Sequence, residues 1–263
     1  MPRVVALYRY PVKGFTPEPC ETLSVLDEGR IAGDRALAFR FANAPMADAA
    51  WSRKQECVVL MNTPGLARLQ LRLDHGASRL RIALDGAVLA DETLDAAGRR
   101  RLCAALADYV LKLPENPLTG HPQRLPLKLV GDGVTPRYQD NEGGQCTLHS
   151  RESLAAVAAA TGAPDLDEAR FRSNIAIEGV AAWEEQDWMG RRLRIGNVEF
   201  EVARRKIRCL ATHANPATGE RDIRVMPILM QAFAQNEPTF AIGMVTRGAG
   251  GVIRIGDAVT LAG

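Results

Sequence analysis

The chain has 263 residues, a formal net charge of +2, 46% hydrophobic residues and 24% charged residues. That is enough length for a sizeable core and an ordinary composition for a folded protein, which excludes a disordered or fibrous chain. So balanced a charge gives no ground for a nucleic-acid partner. Its five cysteines (Cys20, Cys57, Cys103, Cys146 and Cys209) are odd in number, far apart and never in a C-x-x-C pair. This argues against a disulfide scaffold, a zinc ribbon or an iron–sulfur cluster and points to a reducing compartment. Met1 to Lys13 lack the apolar core of a signal peptide, and no stretch approaches the length of a membrane span. The expectation is a cytoplasmic chain without a membrane partner.

Residues 3 to 9 read as an opening strand, and Tyr10-Pro11-Val12-Lys13-Gly14 as a loop with one cation. Short strands follow around 22 to 26, 36 to 41, 57 to 61, 67 to 73, 79 to 84 and 87 to 90, separated by Gly, Asp and Pro. This spacing predicts an antiparallel barrel or sandwich. From Asp95 the period becomes helical, with Leu102, Leu106, Tyr109, Val110 and Leu113 on one face. A proline-rich stretch from about 114 to 126 reads as a junction, giving a first domain over residues 1–118 and a second over 119–263.

The second half opens with strands near 127 to 130 and 145 to 149, then a helix over 151 to 161 with Ser150 as N-cap and Gly162 past its end. A short acidic helix around 165 to 171 follows, then strands at 174 to 178, 192 to 195 and 198 to 206. A helix near Pro227 and strands at 239 to 246, 252 to 255 and 258 to 261 complete the chain. The predicted fold class is mainly β with peripheral helices: a β-barrel domain preceded by a β-barrel-like N-terminal domain.

The most informative segment is Arg204-Arg205-Lys206-Ile207-Arg208-Cys209, followed by Thr212, Asn215-Pro216 and Thr218-Gly219. A lone cysteine is most often a small buried hydrophobe. This one follows an alternating strand, Val198, Phe200 and Val202 against Asn197, Glu199 and Glu201, and precedes turn signals, so it lies where a strand leaves its sheet. Four neighbouring cations favour a thiolate, the form that acts as nucleophile or metal ligand. Cys209 is the candidate catalytic residue.

Several separated motifs resemble the MOSC family, named after the C-terminal domain of molybdenum-cofactor sulfurase, together with that family's N-terminal β-barrel domain. They are Tyr10-Pro11-Val12-Lys13-Gly14, Gly33-Asp34-Arg35, Ser52-Arg53-Lys54-Gln55, Leu148-His149-Ser150-Arg151-Glu152-Ser153-Leu154, Arg170-Phe171-Arg172-Ser173-Asn174-Ile175 and Arg208-Cys209 through Gly219. Within the family the chain is similar to the amidoxime-reducing proteins, which bind molybdopterin and reduce N-hydroxylated compounds. The resemblance implies that Cys209 supplies a thiolate to molybdenum, and that Lys13, Gly14, Arg35, Arg53, Ser150, Arg172, Asn174 and Arg208 hold the molybdenum cofactor.

Molybdopterin carries a phosphate and an acidic pterin, so its site needs cations and neutral donors from several segments. Lys13, Arg35 and Arg53 can bind the phosphate by charge-assisted bonds. Ser150 adds a hydroxyl at a helix N-terminus, and Arg172 and Asn174, two apart on a strand, would offer donors to the pterin edge. Where relatives have Ser-Arg-Cys and Thr-Thr-Val-Asp-Pro, this chain has Ile207-Arg208-Cys209 and Thr212-His213-Ala214-Asn215-Pro216. His149 and His213 read as structural.

The expected function is a molybdopterin-dependent oxidoreductase acting on a small-molecule N-hydroxylated substrate. The chain has no haem, flavin or nicotinamide motif, so electrons are expected from a separate ferredoxin-, flavin- or haem-type protein. The alternative is a sulfur-carrier or cofactor-binding module that uses a Cys209 persulfide.

Overall fold

The computed structural model describes residues 1–262, with fifteen strands and three α-helices among them. The first half holds β1 (Arg3–Arg9), β2 (Glu18–Cys20), β3 (Thr22–Val25), β4 (Ala38–Arg40), β5 (Leu69–Asp74), β6 (Arg79–Leu84), β7 (Ala87–Thr93) and helix α1 (Ala96–Val110). The second holds β8 (Lys128–Val130), β9 (Cys146–Ser150), α2 (Arg151–Thr161), β10 (Ile175–Glu178), β11 (Arg192–Ile195), β12 (Val198–Ile207), α3 (Val225–Ala232), β13 (Thr239–Thr246), β14 (Gly251–Arg254) and β15 (Val259–Ala262). The class is mainly β with peripheral helices, as the alternating patterns predict.

The main sheet runs β15-β11-β12-β13-β9-β10-β1-β2, antiparallel throughout except between β9 and β10. A bridge between Arg3 and Ala258 brings its first and seventh strands together. Val4 N–H donates to Asp257 O and Val259 N–H to Pro2 O, each at 2.9 Å. These contacts join β1 to β15 and curl the sheet into a barrel, which covers the open edge of β15 and leaves β2 as the outer strand. Inside it Leu193, Ile195, Val198, Phe200 and Val202 meet Val4, Leu7, Leu148 and Ile175 in one apolar core.

A second core lies around the three-stranded meander β5-β6-β7 and α1. On β5, Leu69, Leu71 and Leu73 are buried while Gln70, Arg72 and Asp74 are exposed, the period-2 alternation of a half-covered strand. Helix α1 starts where the Asp95 carboxylate accepts the Gly98 N–H at 2.7 Å, and turns Leu102, Leu106 and Val110 into the same core.

The expected division at 118/119 does not coincide with these cores. Leu127 and Leu129 belong to the meander core, whereas Val4, Leu7, Leu23 and Val25 belong to the barrel. Pairing explains it: β1 lies between β10 and β2, β3 pairs with β14, and β4 pairs with β8. Of the strand expected at 57–61 only the start pairs, with Cys57 bridged to Arg40 and Val58 N–H on Phe39 O at 2.9 Å; from Val59 on it gives way to a turn, because Asn62 takes backbone groups a ladder would use. Its Oδ1 accepts Val59 N–H at 3.1 Å and its Nδ2 donates to Cys57 O at 3.0 Å. The helix expected at 165–171 is a single 3₁₀ turn, Glu168–Arg170.

Candidate functional site

Strand β12 is long enough to carry five consecutive polar or exposed residues, Ala203 to Ile207, past the barrel core before it ends. Arg204 pairs across to Gly243, and Gly243 pairs across to Thr147. At Gly243 a side chain would meet Gln145 Oε1 at 2.6 Å and the Lys206 stem at 3.1 Å, so the glycine lets both come over the sheet. Beside this row the loops after β1, before β9 and before β10 meet the strand exit and enclose a cleft of about 260 Å³.

Cys209 lies in the cleft wall, partly exposed, immediately before the 3₁₀ turn Leu210–His213. Thr212 closes that turn by donating its hydroxyl to Cys209 O at 3.0 Å. Arg208 fixes the strand exit. Its Nη1 donates to Phe171 O at 2.9 Å, its Nε to Phe240 O at 2.7 Å, and its Nη2 also to Phe240 O. Arg221 secures the other side, donating to Leu210 O at 2.6 Å and Met61 O at 2.8 Å. The thiol is therefore presented by a tethered backbone, the condition under which a weak nucleophile or ligand is useful.

Nine lining residues are arginine or lysine, and Asp140 is the only carboxylate among the described residues that line the cleft. Lys13 is 2% exposed and donates to Tyr138 O at 2.9 Å and Gln139 O at 3.1 Å, with Asp140 Oδ1 at 3.5 Å. Next to it Gly14, at φ +84°, would place a Cβ 2.8 Å from the Val59 backbone, so only glycine fits. Arg35 and Arg172 both stack on the buried Tyr10 ring, at 4.4 and 4.3 Å. Both also have left-handed backbones, φ 50° and 54°, an uncommon conformation for a side-chain-bearing residue.

The charge balance shows in the ionisation of the lining groups. Burial, reinforced by Arg208, pushes the Lys206 ammonium down to about 8, against the pull of Asp140. Burial and Arg35 bring Arg172 to about 10, and burial brings Arg208 to about 10. Burial raises Tyr10 to about 12, despite Arg172 and Arg35. The crowded cleft desolvates the Asp140 carboxylate in part, although its side chain is 71% exposed, yet Lys13, Arg35, Lys206 and Lys54 hold it well below the usual range. Every one of these cations would gain from a bound anion.

Of the expected site residues, Lys13, Gly14, Arg35, Arg172, Arg208 and Cys209 share this cleft. Arg53 does not line it; its exposed side chain stands outside while its neighbour Lys54 takes the place at the wall. Ser150 is fully buried elsewhere, capping α2 through Ser153 N–H at 3.1 Å and donating to Glu185 at 3.0 Å. Its hydroxyl is thus already engaged.

Asn174 is also buried away from the wall. Its Nδ2 donates to Asp34 Oδ1 at 3.3 Å and Tyr8 O at 3.2 Å, and its Oδ1 accepts from the Thr147 hydroxyl at 3.0 Å. The expectation that Arg172 and Asn174 share a strand face fails because Arg172 is left-handed and β10 begins only at Ile175. Asn174 instead steadies Asp34, whose other oxygen accepts Arg35 Nη1 at 2.6 Å.

His149 is structural, its Nε2 3.2 Å from Glu168 Oε2. His213 accepts Met226 N–H at 3.2 Å, and Asn215 Nδ2 donates to Asp222 at 2.7 Å. Neither lines the cleft.

Asp140, Arg170, Gln145 and Thr147 were not foreseen. Arg170 lies in the motif already singled out, two residues before Arg172, and is buried with Nη2 on Asp222 at 2.7 Å. For Asp140, within the polar run Gln139 to Gly144, no signal in the sequence separates it from an ordinary loop. Among the described residues no three His, Cys, Asp or Glu side chains are grouped to hold a metal ion, and no helix is long and apolar enough to cross a membrane.

A family model described as the MOSC domain matches residues 136–260. The molybdenum cofactor sulfurases of Caenorhabditis briggsae and Caenorhabditis elegans are each 37% identical to the chain over 73 residues, 28% of the chain and 10% of either relative. The matched stretch thus spans a tenth of the length of those curated relatives. Among solved structures, the YUAD protein from Bacillus subtilis is 10% identical, covering 98% of this chain and 94% of its own at a TM-score of 0.43. YiiM from Geobacillus stearothermophilus is 18% identical, covering 45% of this chain and 54% of its own at a TM-score of 0.34.

Proposed function

Residues 136–260 form a MOSC domain, and on that footing we propose that the cationic cleft binds a molybdenum cofactor whose metal takes the Cys209 thiolate. In this reading the protein reduces small N-hydroxylated compounds with electrons from a separate electron-transfer protein. The observation that carries it is the setting of Cys209: one partly exposed thiol in a cleft with nine cationic residues and one carboxylate. The donor set fits the group. A phosphate suits Lys13, Arg35 and Arg172, and a soft thiolate suits molybdenum.

Each residue has a distinct task. Lys13, Arg35 and Arg172 bind the anionic end, and Tyr10 keeps the two guanidinium planes in place. Arg208 and Arg221 hold the thiol at the cleft wall. Reduction of an N–OH bond consumes two electrons and two protons and releases water, so a proton store near the thiol is needed. Lys206, at about 8, carries a transferable proton on Nζ near neutral pH. When bound, the cofactor supplies two-electron oxygen-atom chemistry.

Elemental analysis tests this on protein made in cells able to synthesise the cofactor, beside Cys209→Ser. Near-stoichiometric molybdenum in the parent alone supports the ligand role; equal metal content in both would sink it. Metal in neither would favour the carrier reading, in which Cys209 holds a persulfide, and a persulfide assay would decide it.

A further inference from the structure

Six of the nine cations in the cleft wall are tied to protein acceptors, Arg205 among them through Nε on Gln186 O at 3.0 Å. Lys54, Arg204 and Lys206 are not. Among the described residues none of these three forms an ion pair, and the exposed Arg204 guanidinium has only Asn141 Oδ1, at 3.5 Å. Gly243 gathers a further donor beside them. A side chain there would meet Gln145 Oε1 at 2.6 Å and Lys206 Cδ at 3.1 Å, so both lie over one glycine, and Arg204 is its partner across the strands. Gln145 Oε1 accepts Asn141 Nδ2 at 3.4 Å, which leaves the Gln145 Nε2 free to donate. Neither this amide nor the Lys206 ammonium is sealed inside the protein, so a ligand in the cleft can reach both.

This group lies apart from the other cations. Strands β12 and β10 are separated by β13 and β9, roughly 14 Å at the usual strand spacing, and Lys13, Arg35 and Arg172 stand on the β10 and β1 side. An anion among those three leaves the β12 group unmatched, and like charges gathered in one concave wall draw a second anion.

We propose that the β12 end of the cleft is an anion subsite for the substrate: the N-hydroxylated compound carries a carboxylate, which Arg204, Lys206 and Gln145 hold. An arginine fork takes both oxygens of a carboxylate and leaves lone pairs for an ammonium and an amide. Arg204 and Lys206 belong to the strand that ends at Ile207, two residues before Cys209, so a molecule held by them lies beside the thiol. The bound anion stabilises the Lys206 ammonium and keeps that proton store filled. The identification of the ligand as substrate rests on the reductase reading; the second anion position does not.

The test titrates the full chain, free of cofactor, with para-fluorobenzoate and with its neutral analogue para-fluorobenzamide, both followed by fluorine NMR. The benzoate should bind saturably and about tenfold or more tighter than the benzamide. Arg204→Ala should weaken it about fivefold, Arg204→Lys should restore most of that affinity, and Gln145→Ala should weaken it about threefold. In all three variants the tighter phosphate site, read by calorimetric titration, should keep its affinity to within about twofold, which also reports an intact fold. No preference for the benzoate, or parent-like benzoate affinity in Arg204→Ala, would overturn the assignment. So would an equal loss of phosphate affinity, which would make Arg204 part of one site for the cofactor's own phosphate. Because the titration needs neither metal nor electrons, a protein that retains no molybdenum can still pass it, and one that retains molybdenum can still fail it.

Discussion

Arg35 and Arg172, 137 residues apart, are fixed to each other: Arg35 Nη2 donates to Arg172 O at 3.2 Å. Both guanidinium groups lie over one ring, that of Tyr10, and the Arg172 Nη1 donates to Phe15 O. Like charges repel, so what holds the pair is backbone anchoring, Asp34 and the Tyr10 face. An anion arriving in the cleft finds the two cations already gathered and relieves their repulsion.

Tyr10→Leu should therefore loosen both arginines at once. Anion affinity in the cleft, read by calorimetric titration with phosphate, should fall about tenfold. Tyr10→Phe keeps the ring and removes only the hydroxyl bond to Ser173 O at 3.2 Å. It should cost about 1 kcal/mol of stability and leave affinity near the parent's. Equal affinity loss in both variants would show that the ring is not the platform.

Asp140 is the one lining carboxylate and sits against Lys13. Asp140→Asn should tighten phosphate binding several-fold, because it removes the only opposing charge in the wall. It should also lower the Lys206 ionisation below about 8, since Asp140 raises it. Unchanged affinity would mean that the carboxylate is already screened by water.

Phosphate affinity should decline as pH rises through about 8, as Lys206 loses its charge, and Lys206→Met should abolish that decline. Stability moves in the opposite sense. A folded-state ammonium depressed to about 8 is a cost at neutral pH, fully present below about 8 and relieved between there and the ordinary lysine value of 10.5. The urea midpoint of the parent should rise relative to Lys206→Met over that window.

Glu168 is held down to about 2: burial would raise it, but hydrogen bonds from His149, Tyr8 and Arg151 outweigh that. Its stabilising contribution is complete above the ordinary glutamate value of 4.5 and is lost as pH falls from there through about 2. On the order of 3 kcal/mol is at stake by the usual conversion of such a shift. Glu168→Gln should be less stable at neutral pH and show a flatter stability profile between those limits.

Ser150→Ala removes an N-cap and one of the hydroxyls facing the buried Glu185. About 1–2 kcal/mol of stability should be lost. Molybdenum content per folded molecule should not change. Loss of metal without loss of stability would return Ser150 to the site.

The barrel strands were legible because their alternation is local: Val198, Phe200 and Val202 announce β12 and its inward face. Cys209 was legible for the same reason, as the residue just past that strand. What alternation could not convey is where it stops. The left-handed Arg172 breaks the register two residues before Asn174, and nothing in Arg-Phe-Arg-Ser-Asn marks the break. Ser150 was read correctly as a cap, but its neighbour Glu185 lies 35 residues on, so the claim on its hydroxyl was invisible. Asp140 acquires its importance only from cations that four other segments bring to it.

The bridge between Arg3 and Ala258 makes the two ends of the chain neighbours. Lys13 follows β1 and Arg35 precedes β4 while Cys209 follows β12, so the cleft exists only where these early and late segments have met. A ligand that touches both sides binds the assembled segments and not the separated ones, and by mass action it holds them together. Occupancy of the cleft is thereby a measure of how firmly the early and late segments are joined.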